Sequence, residues 1–208
     1  MAAAQKELIR HEARARRASI PGPSRLKAAE ALATHIASLT KKLSLADGAT
    51  VGCYLAIGTE INTSPLLRIL QRSGYQVALP RTSIPAAPLD FVKWQTNEPL
   101  KQDVLGFPAP AGDALVEPDA LIVPLVAFDR DGGRIGQGAG LYDRTLLQLR
   151  RRNPYLPVIG LAFACQEMSD LPLEPHDQRL NYILTETGVI DVLPLSLPKE
   201  LDRQGARL

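Results

Sequence analysis

A chain of 208 residues, 45% hydrophobic and 22% charged, has the apolar content for a real core and ordinary globular proportions, so a disordered or fibrous protein is excluded. The formal charge of +2 is unevenly placed: before residue 20, five cations (Lys6, Arg10, Arg14, Arg16, Arg17) face two carboxylates (Glu7, Glu12), a net +3 that leaves −1 for the rest. A general nucleic-acid surface would spread its basic residues, whereas this local excess suits one small anionic ligand.

Residues 2–19 read as a helix that Ile20-Pro-Gly-Pro23 stops. Lys6, Arg10, Arg14 and Arg17, spaced by four, four and three, then share one face. The spacing alone fits either a solvated stripe or a ligand-facing one. A second helix is predicted from Ser24 as N-cap, with Leu26, Ala29, Ala33, Ile36, Leu39 and Leu43 on its buried side. Asp47-Gly48 turns the chain into a buried strand over 50–57 that ends at Gly58-Thr-Glu60. Thr63 or Ser64 caps the next helix, with Pro65 in its first turn and Gly74 beyond its end. Strands follow over 75–79, 89–94, 120–123, 158–163 and 180–185, with a helix over 141–151. The polar tail after Pro198 is expected to fray. This alternation predicts a single domain of α/β class, an open and mostly parallel sheet flanked by helices, with the basic first helix contributing to its site. Functional loops then belong at the carboxyl ends of strands, where Glu60 falls.

No apolar run reaches the about eighteen residues of a membrane span. No secretory apolar segment opens the chain, and Glu7 and Glu12 argue against a transit peptide. Cys53 and Cys165 sit in apolar segments without metal or redox spacing, and His11, His35 and His176 form no ligand pair. A reduced, cytoplasmic protein with cysteines as packing residues is expected.

The richest stretch is 124–144, Pro-Leu-Val-Ala-Phe-Asp-Arg-Asp-Gly-Gly-Arg-Ile-Gly-Gln-Gly-Ala-Gly-Leu-Tyr-Asp-Arg. Glycines at 132, 133, 136, 138 and 140 let a backbone crowd against a ligand. An apolar strand leads in and an amphipathic helix follows, so loop N–H groups and a helix N-terminus can converge on an anion, most naturally phosphate. Neither the Gly-x4-Gly-Lys-Ser/Thr loop nor the dinucleotide glycine spacing is present. A merely flexible connection explains the glycines but not Arg134, Asp143 and Arg144.

Asp143 lies just inside the following helix, where its carboxylate can face bound phosphates, and Asp177 in Leu173-Glu-Pro-His-Asp-Gln178 could supply a second. Carboxylates combined with phosphates suit Mg²⁺. Taken alone, Asp177 reads more often as a turn or cap residue than as a ligand. Glu60 could hydrogen-bond a polar ligand edge or be an exposed loop charge. Phe91 and Trp94 could stack on an aromatic ligand, although strand aromatics usually pack a core. Arg81, at another strand end, is a further candidate.

In order along the chain, Lys6-Glu-Leu-Ile-Arg10, Glu60-Ile-Asn-Thr63, Val77-Ala-Leu-Pro80, the 124–144 block, Gly160-Leu-Ala-Phe163, Gln166, Leu171-Pro172, His176-Asp177 and Thr185-Glu186 resemble the 5-formyltetrahydrofolate cyclo-ligase (5,10-methenyltetrahydrofolate synthetase) family. The resemblance implies the α/β fold of the sugar-isomerase and CoA-transferase superfamily. It also implies ATP-dependent closure of 5-formyltetrahydrofolate to 5,10-methenyltetrahydrofolate, with release of ADP and phosphate. It places ATP at Lys6, Glu7, Leu8, Ile9 and Arg10, and at Arg134, Ile135, Gly136, Gln137, Gly138, Ala139, Gly140, Leu141 and Tyr142. Mg²⁺ falls at Asp143 and Asp177, and folate at Arg10, Leu55, Glu60 and the Gln137 to Leu141 loop. Lys6, Arg10 and Arg134 become the catalytic cations that stabilise a phosphorylated formyl group as it forms. Gln137 and Leu141 depart from the aromatic or basic residue and the tyrosine that many relatives carry. A monomer or weak homodimer with small-molecule ligands, and neither nucleic acid nor membrane, is implied. Another ATP-dependent small-molecule enzyme, or a non-catalytic nucleotide- or RNA-binding regulator, stays open as an alternative. Glu60, Asp143 and Asp177 together favour catalysis.

Overall fold

The computed structural model describes residues 2–192, so the tail after Pro198 lies outside the described residues. The first helix, α1 (Ala2–Ala18), ends where expected. The second, α2 (Gly22–Lys42), starts ahead of Ser24: Pro21 is the extended N-cap residue, with no side-chain cap bond, and Pro23 occupies the first turn. Its buried stripe begins only at Ala28, so Leu26, in the turn before, is 64% exposed rather than buried.

Strand β1 (Thr50–Gly52) is shorter than the apolar run 50–57 predicts. The Cys53 amide still donates to Ala78 O at 2.9 Å, after which the chain leaves the sheet. Helix α3 (Ser64–Arg72) follows, with Thr63 in the N-cap position. Its hydroxyl does not cap; it donates to Tyr54 O at 2.8 Å and ties the departing segment down, while Asn62 Oδ1 accepts from the Ser64 amide at 3.0 Å. The remaining elements are β2 (Gln76–Arg81), β3 (Asp90–Lys93), β4 (Leu100–Gln102), β5 (Pro108–Pro110), β6 (Ala120–Pro124), β7 (Ala127–Phe128), β8 (Arg134–Ile135), α4 (Leu141–Arg152), β9 (Val158–Leu161), β10 (Tyr182–Thr185) and β11 (Gly188–Asp191).

Seven strands form one sheet in the order β11-β10-β9-β6-β1-β2-β3. Neighbours from β10 through β2 pair parallel, and the edges β3 and β11 are antiparallel. The period-two alternation of β6 explains the two layers of core: Ala120 and Ile122 face the α2 and α3 side, Leu121 and Val123 the α4 side. Helix α1 covers the end of the sheet, packing Ala13 and Ile9 on Val126, Ala127, Ile135 and Leu171.

Chain direction diverges between β1 and β6, since β2 continues to one side and β9 and β10 to the other. A crevice opens at such a switch point, beyond the carboxyl ends of the strands. Inside the glycine block, β7 and β8 form an antiparallel hairpin whose turn is held by Asp129 Oδ1, which accepts from the Asp131 and Gly133 amides at 3.0 and 2.7 Å. Gly132, at φ +81, lies so close to Leu180 O that a Cβ would stand 2.7 Å from it. Glycines 132 and 133 therefore serve the turn, and those from 136 onward form the loop into α4.

Candidate active site

A cavity of about 870 Å³ occupies the switch point, walled by Tyr54 and Leu55 beyond β1, Pro80 and Thr82 at the end of β2, and Pro124 and Leu125 at the end of β6. Helix α1 and the loop 136–140 close one side, and the loop between β4 and β5 the other. Every site residue that the resemblance implied lines this cavity, with two exceptions. Leu8 is 73% exposed and Ile9 packs on Val126 and Ile135, because the turn of α1 that brings Lys6, Glu7 and Arg10 to the cavity rotates these two away from it.

The basic stripe is mostly buried. Lys6, Arg10 and Arg17 are under 10% exposed, and Arg14 is exposed but donates to Gln137 Oε1 at 2.6 Å. Arg10 Nε donates to Gly136 O at 2.8 Å, so α1 holds the glycine loop directly. Gln137 Nε2 in turn donates to Glu60 Oε1 at 3.3 Å, and Glu60 Oε2 accepts from the Ile57 amide at 3.0 Å. The structure thus joins Glu60, the glycine loop and α1, three sites far apart in sequence.

Two cations, in three ion pairs, organise the polar end. Arg134, with 3% of its side chain exposed, donates to Asp143 Oδ1 at 2.7 Å, and the same oxygen accepts from the Gln178 amide at 3.0 Å. Lys6 Nζ donates to Asp177 Oδ2 and Glu174 Oε2, both at 2.7 Å. Burial opposes the Lys6 charge, but the bonds to Asp177 and Glu174 outweigh it and raise its pKa. Burial likewise works against the Asp177 carboxylate, yet Lys6 and the Glu174 amide hold its pKa below the ordinary value. The Tyr54 and Tyr142 phenols, both on the cavity wall, are pushed up chiefly by burial, so each remains a protonated hydrogen-bond donor.

Among the described residues no group of three His, Cys, Asp or Glu side chains forms a ready metal cage. The donor set still fits Mg²⁺, which takes one or two carboxylates together with waters and phosphates. Asp143 and Asp177 line the same cavity and are drawn together through Gln178; each spends one oxygen on its bonded partners, leaving the other for a cation.

Several wall residues were assigned no role from the sequence: Tyr54, Thr82, Asp103 and Phe107, together with Glu174 and His176, which flank Asp177 in its quoted segment. Asp103 fixes the β4–β5 loop by accepting from the Thr82, Leu105 and Phe107 amides at 2.9 to 3.0 Å. Its Asp-Val-Leu-Gly sequence was a legible turn signal. Trp94 and Phe91 are core residues, and Arg81 bonds Gly112 O and Asp113 away from the cavity. Cys53 is buried, its thiol pushed up to about 12 by burial, which fits packing rather than reactivity.

Fold and cavity together define the class: a mostly parallel α/β protein, covered on both faces, with a ligand-sized, cation-lined cavity at the switch point of its sheet. The family model of the 5-formyltetrahydrofolate cyclo-ligase family matches residues 2–186. The chain is 32% identical over 186 residues to the 5-formyltetrahydrofolate cyclo-ligase of Haemophilus influenzae, covering 86% of this chain and 97% of that one. With the enzyme of that name from Mycolicibacterium smegmatis it shares 33% over 183 residues, 84% and 90% of the two chains. The solved structure of Aquifex aeolicus 5,10-methenyltetrahydrofolate synthetase superposes with a TM-score of 0.77 at 22% identity, over 96% of this chain and 99% of that one, a likeness of fold. The chain belongs to the 5-formyltetrahydrofolate cyclo-ligase family.

Proposed function

We propose that the protein converts 5-formyltetrahydrofolate to 5,10-methenyltetrahydrofolate while ATP becomes ADP and phosphate. The observation that carries this reading, beyond family membership, is the convergence of Lys6, Arg10, Arg134 and the glycine loop with Glu60 in one cavity. A formamide oxygen is a poor leaving group, so direct attack by the folate N10 would stall. Attack of the formyl oxygen on the γ-phosphate, with cleavage of the bond to ADP, removes that obstacle. N10 then adds to the activated carbon, its proton passes to the departing phosphate, and the methenyl bridge remains.

The residues supply charge and position. Arg134, Lys6 and Arg10 are placed to neutralise the transferring phosphoryl group, and loop N–H groups add fixed dipoles. Asp143 and Asp177 would hold Mg²⁺, which when bound offsets phosphate charge. Glu60 presents its carboxylate to the N–H edge of the pterin, and the apolar wall of Leu55, Leu125 and Phe107 shields the ring. Holding N10 beside the carbon makes closure unimolecular. None of these roles needs a covalent nucleophile.

We also assign the fold to the sugar-isomerase and CoA-transferase superfamily, a reading supported by the parallel sheet with its site on loops at the switch point. The same reading makes the protein a cytoplasmic enzyme, monomeric or weakly dimeric. Among the described residues no helix is long and apolar enough to cross a membrane. The test is methenyl-folate absorbance after mixing protein, 5-formyltetrahydrofolate, ATP and Mg²⁺, with ATP left out as control. Absorbance that rises equally without ATP, or not at all, overturns the reading.

A further inference from the structure

The glycines at 136, 138 and 140 share a feature that phosphate binding by backbone N–H groups does not require. A Cβ on each would meet a guanidinium: Arg134 Nη1 at 3.3 Å from position 136, Arg10 Cζ at 3.6 Å from 138, and Arg144 Nη1 at 2.8 Å from 140. Three arginines from three different elements therefore lie along alternate residues of one loop, tightly at 136 and 140 and in ordinary contact at 138. Two of them, Arg10 and Arg134, have roles in the reading above, and Arg144 has none.

Arg144 is half-buried on the cavity wall. Its guanidinium folds back over the start of α4 and donates from Nη2 to Ala139 O at 2.8 Å. That is one bond for a group with five N–H donors. Its Nε is buried without a partner, and among the described residues no carboxylate pairs with it. A cation in the first turn of a helix is also opposed by the positive end of the helix dipole. An uncompensated guanidinium at a helix N-terminus, beside a glycine loop with Gly140 at φ +65, is stabilised by an anion bound there.

We propose that Arg144 is a third phosphate-binding arginine of this site, contacting the polyphosphate of the nucleotide from the α4 side while Arg10 contacts it from the α1 side. This assignment rests on the ATP-dependent reading above. Phosphate is favoured over the carboxylates of the folate glutamate, because Arg144 lies one residue from Asp143, which the reading above assigns to the cation at the phosphates.

The test is calorimetric titration, with EDTA present so that the chain's own cations are read, of inorganic tripolyphosphate, ATP and 5-formyltetrahydrofolate separately. The proteins are wild type, Arg144→Gln, Arg144→Lys and, as a charge control on the exposed part of α4, Arg151→Gln. Arg144→Gln is expected to bind tripolyphosphate and ATP about tenfold or more weakly, with Arg144→Lys in between and Arg151→Gln unchanged. Binding of 5-formyltetrahydrofolate should stay at the wild-type value in all four. Arg144→Lys retains charge and bulk, so it keeps the test sound if the glutamine variant folds poorly. Equal weakening of folate and tripolyphosphate would mean that Arg144 only props the loop, and selective weakening of folate would move it to the glutamate tail; either result overturns the assignment, as does unchanged tripolyphosphate binding. A wild-type protein that binds neither ATP nor tripolyphosphate would instead overturn the ATP-dependent reading and this assignment with it.

Discussion

Asp143→Asn separates charge from shape at the centre of the site. Asp143 Oδ1 accepts from Arg134 at 2.7 Å and from the Gln178 amide at 3.0 Å, and an asparagine with its oxygen in the same place keeps both contacts. It loses the charge opposite a guanidinium only 3% exposed. A charge-assisted bond contributes about 1.5–3 kcal/mol and a neutral one about 0.5–1.5, so the cost in stability is about 1–2 kcal/mol. In a chain of this size that is about 2–8 °C in Tm. Asp143→Ala removes the partner altogether and leaves a buried cation unpaired, a loss of about 3–5 kcal/mol. Turnover should fall about a hundredfold or more in both, because one preorganised charge beside the phosphates is gone. Thermal denaturation gives the first comparison and methenyl-folate absorbance across a Mg²⁺ titration the second. Asparagine turnover near wild type at every Mg²⁺ concentration would refute the role of the carboxylate as a cation ligand. An alanine variant as stable as the asparagine one would refute the energetic argument for the ion pair.

Glu60→Gln should weaken 5-formyltetrahydrofolate binding about tenfold or more, through loss of a charge-assisted bond, and leave ATP binding intact; calorimetry with each ligand alone checks this, and the reverse pattern overturns the division of the cavity. The Lys6 clamp has a pH window: its raised folded pKa makes its contribution complete below the ordinary 10.5 and lost as pH rises past the raised value, while the lowered Glu174 and Asp177 pKa values make the acid-side contribution complete above the ordinary 4.5 of Glu174 and lost as pH falls through the lower folded values. The Tm gap between wild type and Lys6→Met should therefore be flat between those limits and close beyond both, and a gap that closes near neutrality would contradict the pairing. Gly160→Ala would set a Cβ 2.5 Å from Leu180 Cδ1 and 2.8 Å from Leu125 Cδ2, so overpacking should cost about 1–3 kcal/mol. Gly112→Ala, facing open space, should cost little, and equal Tm values for the two variants would show that the core yields more readily than its contacts imply.

Helix and strand positions were legible where one local rule governs. The helix α3, with Pro65 in its first turn, and the buried strand β6, an unbroken apolar run, are readable from the chain alone, whereas the division of β6 between two core layers follows from the sheet. Strand β1 was read too long because hydrophobicity continues through 54–57 although pairing does not. Tyr54, Leu55 and Ala56 pack on the core that includes Leu66, Leu67 and Leu70 of α3, while Ile57 is 47% exposed, and nothing local distinguishes these fates from strand pairing. Gly52 stands at the last paired position, where a Cβ would lie 2.6 Å from Leu121 Cδ1. The hairpin β4–β5 went unread for a related reason: Leu100-Lys-Gln and Pro108-Ala-Pro carry no strand pattern, and their pairing is fixed through Asp103 binding the distant Thr82 amide.

At the site, residue identity was more legible than partnership. Spaced glycines between an arginine and an aspartate, and a basic stripe on a first helix, mark where anions can bind. They do not say that Arg10 reaches Gly136 O, that Lys6 rests on Asp177, or that Arg144 turns back on Ala139 O. The first two contacts span more than a hundred residues of sequence and exist only because α1 is packed, through Ala13 and Ile9, over the end of the sheet beside the loop. The third spans five residues and was still hidden, since an arginine in a helix's first turn ordinarily points to solvent, and here the left-handed Gly140 bends the entering backbone under the guanidinium. Alternate glycines in this loop thus reflect two demands at once, space for a bound ligand and space for the arginines that would hold it. Position 140, with the shortest clearance of the three and a backbone angle that disfavours side chains, is where those demands leave least room for any other residue.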